Sequence, residues 1–499
     1  MAEEDNGSQR HYRAPCPGCG APVEFRSAQS AFAVCPYCQS TVARQGEQLA
    51  RIGKMAELFD DFSPLQLFAA GRIQDKPFTL VGRLQYAYEG GRWTEWIAQL
   101  DGGGDDRIGV LSEDNGAFVF SLPYSPQQPL PEAGSLRVGV TTAIDGRAFT
   151  TASNQEVRLV SAQGELPRLP PLGQPFRVVE LRNEKALVLS LEYDSQPPNA
   201  WLGREVLLDD LKMSGLRAES GKEDSGRSFG CPHCGSPVTL NLADSKSVTC
   251  PQCRSIIDTS SGIGGELKYA TQREPVQPLI PLGATGQLQG VQWQVVGFQH
   301  RMGQAPDDDE RFGWDEYLLY NRKRGFSFLV DAEDGWSMVR PTTGAPAAAQ
   351  GGQTARYLGR TYRQQYAYEA ETTYVLGEFY WQVARGQKTS NRDYADGKGG
   401  ILSMERSADE QTWSHGGRID ASAVAAAFKL DAKKDLFRRT DTAPVSAASG
   451  QGCGTIIVIV VLIIFLMIIL STCSSSSGGS GYRSSGGSYG GYSSGGGHK

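Results

Sequence analysis

The sequence is poor in the residues and motifs of general acid–base or nucleophilic catalysis. It holds five His in 499 residues, and none falls at matched positions in the two copies of the repeat set out below. No Ser-His-Asp, HExxH, Walker or GxGxxG constellation is present, so no general base or nucleophile is offered. Positive charge is not in excess. Lys plus Arg number 49 against 55 Asp plus Glu, a net charge of −6, which argues against a dedicated nucleic-acid binder. A basic n-region with an apolar h-region is missing from the start. Met1 to Arg10 is acidic and polar, which predicts no secretory signal. With 39% hydrophobic and 21% charged residues the composition is that of a globular chain, not a wholly disordered one.

Long apolar runs are absent with one exception. Ile456 to Leu470 is an unbroken apolar stretch of 15 residues. With its flanks, 453–473 is long enough for a helix to cross a hydrocarbon core of about 30 Å. Lys429, Lys433, Lys434, Arg438 and Arg439 precede this run, and only Arg483 and Lys499 follow it. The positive-inside tendency then predicts a single-pass anchor in the inner, cytoplasmic membrane with the N-terminal body in the cytoplasm. Cys453 and Cys473 flank the run, where palmitoylation and tolerated small residues are alternative readings. Residues 474–499 hold ten Gly and ten Ser and predict a disordered Gly/Ser/Tyr-rich tail.

Ten cysteines remain to be explained, and eight are ordered. Cys16, Cys19, Cys35 and Cys38 recur as Cys231, Cys234, Cys250 and Cys253 with a constant offset of 215 residues. CPGCGAPV matches CPHCGSPV, and CPYCQS matches CPQCRS. The repeat continues through Gly71/Gly286, Phe78/Trp293, Val81/Val296 and Gly82/Gly297. It then drifts by a few residues, through Trp93–Trp96/Trp314–Tyr317, Gly164-Glu165-Leu166-Pro167/Gly377-Glu378-Phe379-Tyr380, Leu189–Glu192/Leu402–Glu405 and Trp201/Trp413. The chain is a tandem duplication of one module of about 200 residues.

Each cysteine set is C-x2-C-x15-C-x2-C. Two such knuckles bring four thiolates into a tetrahedron, so two structural zinc ions are expected, one per set. Iron uses the same ligands, and spacing alone does not separate the two. A cytosolic body disfavours disulfides. His233 sits inside a knuckle whose ligand set is already complete and reads as an exposed residue. Basic and acidic residues are balanced around both sets, so nucleic acid is not an expected partner.

The expected fold is mainly β: a zinc ribbon followed by an antiparallel sandwich or barrel-like domain, twice, with one C-terminal transmembrane helix. Short aromatic and β-branched runs such as Phe78–Tyr88, Trp93–Leu100, Phe176–Leu181, Val291–His300 and Gly325–Val330 carry that expectation. The predicted organisation is ribbon 1 over 1–46, a linker helix over 47–63 (Glu47 to Asp61), a β domain over 64–212 and a linker over 213–228. Ribbon 2 over 229–262 follows, then a second β domain over 275–430 and a juxtamembrane linker over 431–452. Within these, Ala421 to Leu436 predicts a helix, and Pro341 to Gly352 a loop.

The Trp-x-Glu-Trp/Tyr motif is the one candidate for contact with a ligand or partner: Trp93, Glu95 and Trp96, and Trp314, Glu316 and Tyr317. On a strand, Trp and Glu two apart share a face. The bland reading is a sheet aromatic beside a paired carboxylate. The sharper one is a groove with Glu95 or Glu316 as its polar contact.

With its G-x(10–16)-W-x-E-W/Y, G-E-L/F-P/Y and L-S-L/M-E motifs, the chain resembles the domain-of-unknown-function 4178 family of bacterial proteins, over roughly 64–212 and 275–430. Members are often membrane-linked and encoded near envelope-stress proteins. The family offers no catalytic residues to carry over. The first copy departs from the second at Pro167, where the second has Tyr380. The resulting expectation is a membrane-anchored scaffold or adaptor that presents two modules to a protein partner in envelope stress or membrane maintenance. The alternative is a ligand-sensing or enzymatic β domain using the Trp-x-Glu face.

Overall fold

In the computed structural model the described residues are 12–438, apart from 27–28, 46–47, 56–62, 89–90, 102–107, 115–116, 218–226, 243–244, 261, 264–265, 273–274, 307–308, 350 and 408–410. The expected span over 453–473 and the tail lie outside them. Among the described residues, no helix is long and apolar enough to cross a membrane.

Each module is built on a closed antiparallel barrel of eight strands. In the first these are β1 (Lys76–Tyr88), β2 (Gly91–Leu100), β3 (Ile108–Asp114), β4 (Ala117–Pro123), β5 (Arg147–Leu166), β6 (Phe176–Arg182), β7 (Leu187–Glu192) and β8 (Asn199–Val206). Neighbours run β5-β6-β7-β8-β4-β3-β2-β1 and back to β5. The second barrel repeats the order with β9 (Val291–Gln304), β10 (Arg311–Asn321), β11 (Gly325–Ala332), β12 (Gly335–Pro341), β13 (Arg360–Phe379), β14 (Lys388–Ala395), β15 (Gly400–Arg406) and β16 (Gln411–Arg418).

Closure depends on the 20-residue strands β5 and β13. The N-terminal part of β5 pairs with β6 and its C-terminal half with β1, with register shifts at Thr151/Ser153 and Leu159/Ser161. Such bulges bend a strand enough to serve two neighbours. Where β1 crosses β5 the backbones nearly touch. A Cβ on Gly164 (φ +75°) would stand 2.3 Å from the Val81 carbonyl oxygen, and one on Gly377 (φ +88°) would stand 2.2 Å from that of Val296. This is why a glycine opens both G-E motifs.

Each four-cysteine unit is a pair of small hairpins sewn onto the end of its barrel. Phe32–Val34 pairs with Leu166–Gly164 of β5, and Ser247–Val248 pairs with Phe379–Glu378 of β13. The linker helix expected over 47–63 is not formed where the chain is described. Gln48–Lys54 is a strand paired with Ser40–Gln45. Leu49 packs on the small core of the unit while Ile52 is exposed, so the two do not form one buried helical stripe. Pairing with an open sheet edge overrides the 3-and-4 spacing.

The second predicted helix is shorter than expected. It runs Ala421–Ala427, capped by Asp420, which accepts from the Ser422 and Ala423 amides. Lys429 turns into the left-handed region (φ 58°) and Leu430 N donates back to Ala425 O at 2.8 Å, which ends the helix. A 3-10 turn, Asp431–Phe437, follows. Val424, Phe428 and Phe437 cover an outer face of barrel 2 made by Trp293, Phe298, Tyr317 and Trp336.

The modules touch. The loop after β12, part of the predicted Pro341–Gly352 loop, lies over one end of barrel 1. Arg182 Nη1 donates to Thr342 O (3.1 Å), Thr343 Oγ1 donates to Glu205 Oε2 (3.0 Å) and Ala345 N donates to Asn183 O (3.1 Å). Arg356 forks onto Glu184 at 2.6 and 2.7 Å beside it.

Candidate functional site

Within each cysteine set all four sulfurs lie within 4.8 Å of one another. Cys16–Cys38, Cys19–Cys35, Cys231–Cys253 and Cys234–Cys250 are each 3.7 Å apart, and all eight are free thiols. A tetrahedron with sulfur about 2.3 Å from a central ion has edges of about 3.8 Å. The two clusters therefore have the dimensions of a four-thiolate metal site. Gly20 and Gly235 turn each first knuckle with φ of 77° and 75°. The Ser40 hydroxyl and amide hold the Cys38 thiol down to about 6, whereas Cys19, against the lowering hydrogen bond of the Ala21 amide, is pushed up to about 12 by Cys38 and by burial.

The G-E motif has a role that spacing alone did not expose. Glu378 is buried and accepts from the Asn241 amide (2.8 Å), the Leu242 amide (2.9 Å) and Ser245 Oγ (2.8 Å), all in the second cysteine unit. Its counterpart Glu165 accepts from the Arg26 amide at 2.8 Å. One carboxylate per module pins the cysteine unit to the barrel. Glu378→Ala is expected to leave the Asn241 and Leu242 amides without an acceptor, at about 1–3 kcal/mol for each buried one. Hydrogen exchange should then speed up by about tenfold or more across 237–249 while β10 and β11 keep their protection.

The pleat divides the Trp-x-Glu motifs. Trp93 and Glu95 point into the lumen of barrel 1. Trp96 points outward, where its indole donates to Glu113 at 3.1 Å and Arg83 lies over its ring at 5.0 Å. In barrel 2, Trp314 and Glu316 point inward. Tyr317 points outward, taking the Leu279 amide at 2.9 Å and stacking near Trp336.

Register alignment shows three interior acids at equivalent points in both barrels. Glu95 and Glu316 come from the Trp-x-Glu motif, and Glu192 and Glu405 from the L-S-x-E motif. Glu180 and Asp393 form the third pair, and only the strand register reveals it.

Barrel 2 satisfies its acids from within. Arg301 is buried and forks onto Glu405 at 3.0 and 3.2 Å, lies 3.7 Å from Glu316, and donates to Thr389 at 2.6 Å. Glu316 also accepts from Trp314 Nε1 (2.6 Å) and Gln299 Nε2 (2.5 Å). Asp393 accepts from Tyr368 (2.9 Å) and Ser403 (2.6 Å). Burial pushes the Glu316 carboxyl up, against the pull of Arg301. Burial works to lower Arg301, but Glu405 and Glu316 together hold it above its ordinary range.

Barrel 1 is arranged differently. Arg168, from the loop after β5, pairs with Glu192 and with Asp194 (2.5 Å). Arg182 pairs with Glu180, and Trp93 Nε1 donates to Glu95 at 3.1 Å. Tyr86 occupies the register position of Arg301 and stacks on Trp93 at 5.0 Å. Its burial, with Glu95 nearby, raises its phenol well above the usual range.

Beside these groups lies a cavity of about 160 Å³. Its walls include alternate residues of successive strands: Trp93 and Glu95 of β2, Ser112 of β3, Val119 and Ser121 of β4, Ser153 and Gln155 of β5, Val178 and Glu180 of β6, Val188 and Ser190 of β7. It takes in the barrel lumen and continues to the rim, where Glu113, Ala117 and Phe118 also line it. Arg340 to Thr343 of the second module, with Lys323, Arg324, Phe326 and Tyr380, also line it. Barrel 2 has Tyr366, Tyr368, Phe328, Val330 and Ile401 where barrel 1 has Ser153, Gln155, Val110, Ser112 and Val188. Larger side chains fill the second lumen, and smaller ones leave the first open to its neighbour.

No curated protein and no solved structure matches the chain. The model of one family matches twice, over 69–208 and 281–421, more than half of the sequence and one barrel each time. The chain thus belongs to the DUF4178 family, a domain of unknown function, and carries that domain in tandem.

Proposed function

We propose that this chain is a membrane-anchored receptor for a small ligand. Barrel 1 holds the ligand. Barrel 2 is the filled copy, and its 341–345 loop closes the mouth. The observation that carries this reading is the barrel 1 cavity, walled by Trp93 and Glu95 and roofed by the second module. It favours the ligand-sensing alternative over a pure scaffold. An adaptor role follows as the output, because a ligand that changes the docking of module 2 changes the surface offered to a protein partner.

In the same reading the eight cysteines hold two structural zinc ions, the more usual occupant of four-thiolate ribbons. Residues 453–473 anchor the chain in the cytoplasmic membrane with its modules on the cytoplasmic side. The apolar run and the Lys/Arg asymmetry support that placement.

The test fills lumen 1 with the side chains of lumen 2. Gln155→Tyr with Val188→Ile copies Tyr368 and Ile401. Native mass spectrometry of the intact protein, extracted from membranes in mild detergent, is expected to release a small molecule from the wild type. The filled variant should carry at least about tenfold less, with its melting temperature kept. Equal loading of both, or no release from either, would remove the receptor reading.

A further inference from the structure

The outer cover of barrel 2 differs in charge from its counterpart on barrel 1. We infer that this cover, 421–438, docks on the anionic headgroups of the lipid bilayer, an inference that rests on the anchor reading of 453–473 above.

The two covers occupy one place in the fold. Each follows the last strand of its barrel, β8 or β16. Leu208 and Leu211 pack with Phe78 and Trp96 of barrel 1, as Val424, Phe428 and Phe437 pack with the matched Trp293 and Tyr317 of barrel 2. Met213 and the Leu211 carbonyl close on Gly71, and Phe428 and the Ala427 carbonyl close on its repeat partner Gly286.

Their outward residues do not match. The cover of barrel 1, 207–216, carries Asp209, Asp210 and Lys212. The cover of barrel 2 carries Lys429, Lys433, Lys434 and Arg438 against Asp431 and Asp435, all exposed. Arg438 lies near Asp420, so the three lysines set the character of the patch. Leu436 stands among them, 62% exposed, while its neighbour Phe437 is buried. Residues three apart eclipse in a 3-10 turn, so Lys433 and Leu436 share one edge of the turn Asp431–Phe437. A leucine beside lysines suits a headgroup boundary. The apolar tip enters the acyl edge, and the ammonium groups meet phosphate.

Chain length favours lipid over other anionic partners. Fourteen residues, 439–452, separate this cover from the start of the run at Cys453, an extended reach of at most about 50 Å. Contact with the bilayer is then intramolecular, so individually weak contacts suffice. Each lysine near an anionic leaflet favours contact by about fivefold. Inorganic anions offer nothing to Leu436, and an acidic protein face has no such tether.

The experiment compares hydrogen exchange of the intact chain in nanodiscs of phosphatidylcholine alone and with about 30% phosphatidylglycerol. Exchange over 429–437 is expected to be at least about threefold slower in the anionic discs, with the difference shrinking at about 0.5 M salt. The cover of barrel 1, 207–216, should exchange alike in both. Lys433→Glu/Lys434→Glu, two exposed positions, should abolish the difference and leave β10 and β11 unchanged. Alkaline carbonate extraction of the same chain from vesicles tests the anchor separately.

The wild-type comparison needs no variant to fold. Equal exchange in both lipids, from a chain that resists carbonate, would overturn the docking and leave the anchor standing, with an acidic protein face as the remaining occupant. Equal exchange from a chain that carbonate extracts would overturn both. Slower exchange in anionic discs from an extractable chain would support the docking face and remove the anchor. Protection of 207–216 to the same degree, or protection that survives Lys433→Glu/Lys434→Glu, would overturn the assignment to this cover.

Discussion

Treatment of the intact chain with a thiol-reactive mercurial is expected to release two equivalents of zinc and to unfold both cysteine units while the barrels stay closed. The core of the first unit is Cys16, Val23, Phe25, Ala33, Cys35 and Val42, and that of the second is equally small. Two of those six residues are cysteines of the cluster. So little apolar surface does not offset chain entropy for a segment of this length. Structural zinc contributes about 10–16 kcal/mol in zinc-finger peptides, enough to make up such a difference.

Each barrel, by contrast, has a continuous ring of strand pairs and its own core. Hydrogen exchange should therefore collapse over 12–54 and 227–258 and persist in β2, β3, β10 and β11. Cys35→Ser should remove one equivalent and Cys250→Ser the other, each unfolding its own unit only. Released metal is counted with a chromogenic chelator. A coloured protein yielding iron would replace zinc at these sites, and fewer than two equivalents of any metal would contradict the paired-site reading.

The duplication and the clustering of the eight cysteines were legible because both are local. C-x2-C fixes two sulfurs within a single turn, and the constant offset of Cys16/Cys231 through Cys38/Cys253 needs no fold to be recognised. Strand character was legible in Phe78–Tyr88 and Trp93–Leu100 for the same reason. Barrel closure was not legible. It depends on one strand serving two partners, as β5 does for β6 and β1, and the bulges that allow it leave no simple trace in hydrophobic alternation.

Gln48–Lys54 reads as a helix because Leu49 and Ile52 are three apart. The open edge of Ser40–Gln45, which decides the matter, is a tertiary feature. At the candidate site, period 2 correctly groups Trp93 with Glu95. Nothing local separates the lumen-facing Glu95 from the network-bound Glu316. That difference is set by Tyr86 against Arg301, on the neighbouring strand directly opposite Trp93 and Trp314. The third acid pair, Glu180 and Asp393, sits in unlike local sequences and emerges only when the barrels are aligned strand by strand.

Arg301→Met is the substitution expected to damage the second barrel most. The side chain is nearly isosteric in its stem, so packing is largely kept and the loss is electrostatic. Removal of one partner from a buried ion network costs about 3–5 kcal/mol, chiefly because the remaining charges stay buried. Here those are Glu316 and Glu405, both deep in the barrel. Burial already raises the Glu316 carboxyl while Arg301 lowers it, so without Arg301 its folded-state value rises further above the unfolded one. A raised folded-state value means that the native state holds the proton more tightly. The associated stability is then present in acid and is lost as pH rises through the folded value.

The variant should accordingly be less destabilised at pH 5 than at pH 8, read as hydrogen-exchange stability of β9–β11 in urea. Glu316→Gln and Glu405→Gln added to Arg301→Met should restore much of the loss. If the triple variant is no more stable than the single one, arginine packing is what matters and the charge network is incidental. The corresponding change in barrel 1, Tyr86→Phe, keeps the ring that stacks on Trp93 and removes no charge, so a shift within about 1 kcal/mol is expected there. The contrast between the two substitutions follows from one physical difference. Barrel 2 depends on an internal cation to close its core, whereas barrel 1 has an aromatic ring at that point and a cavity beside it.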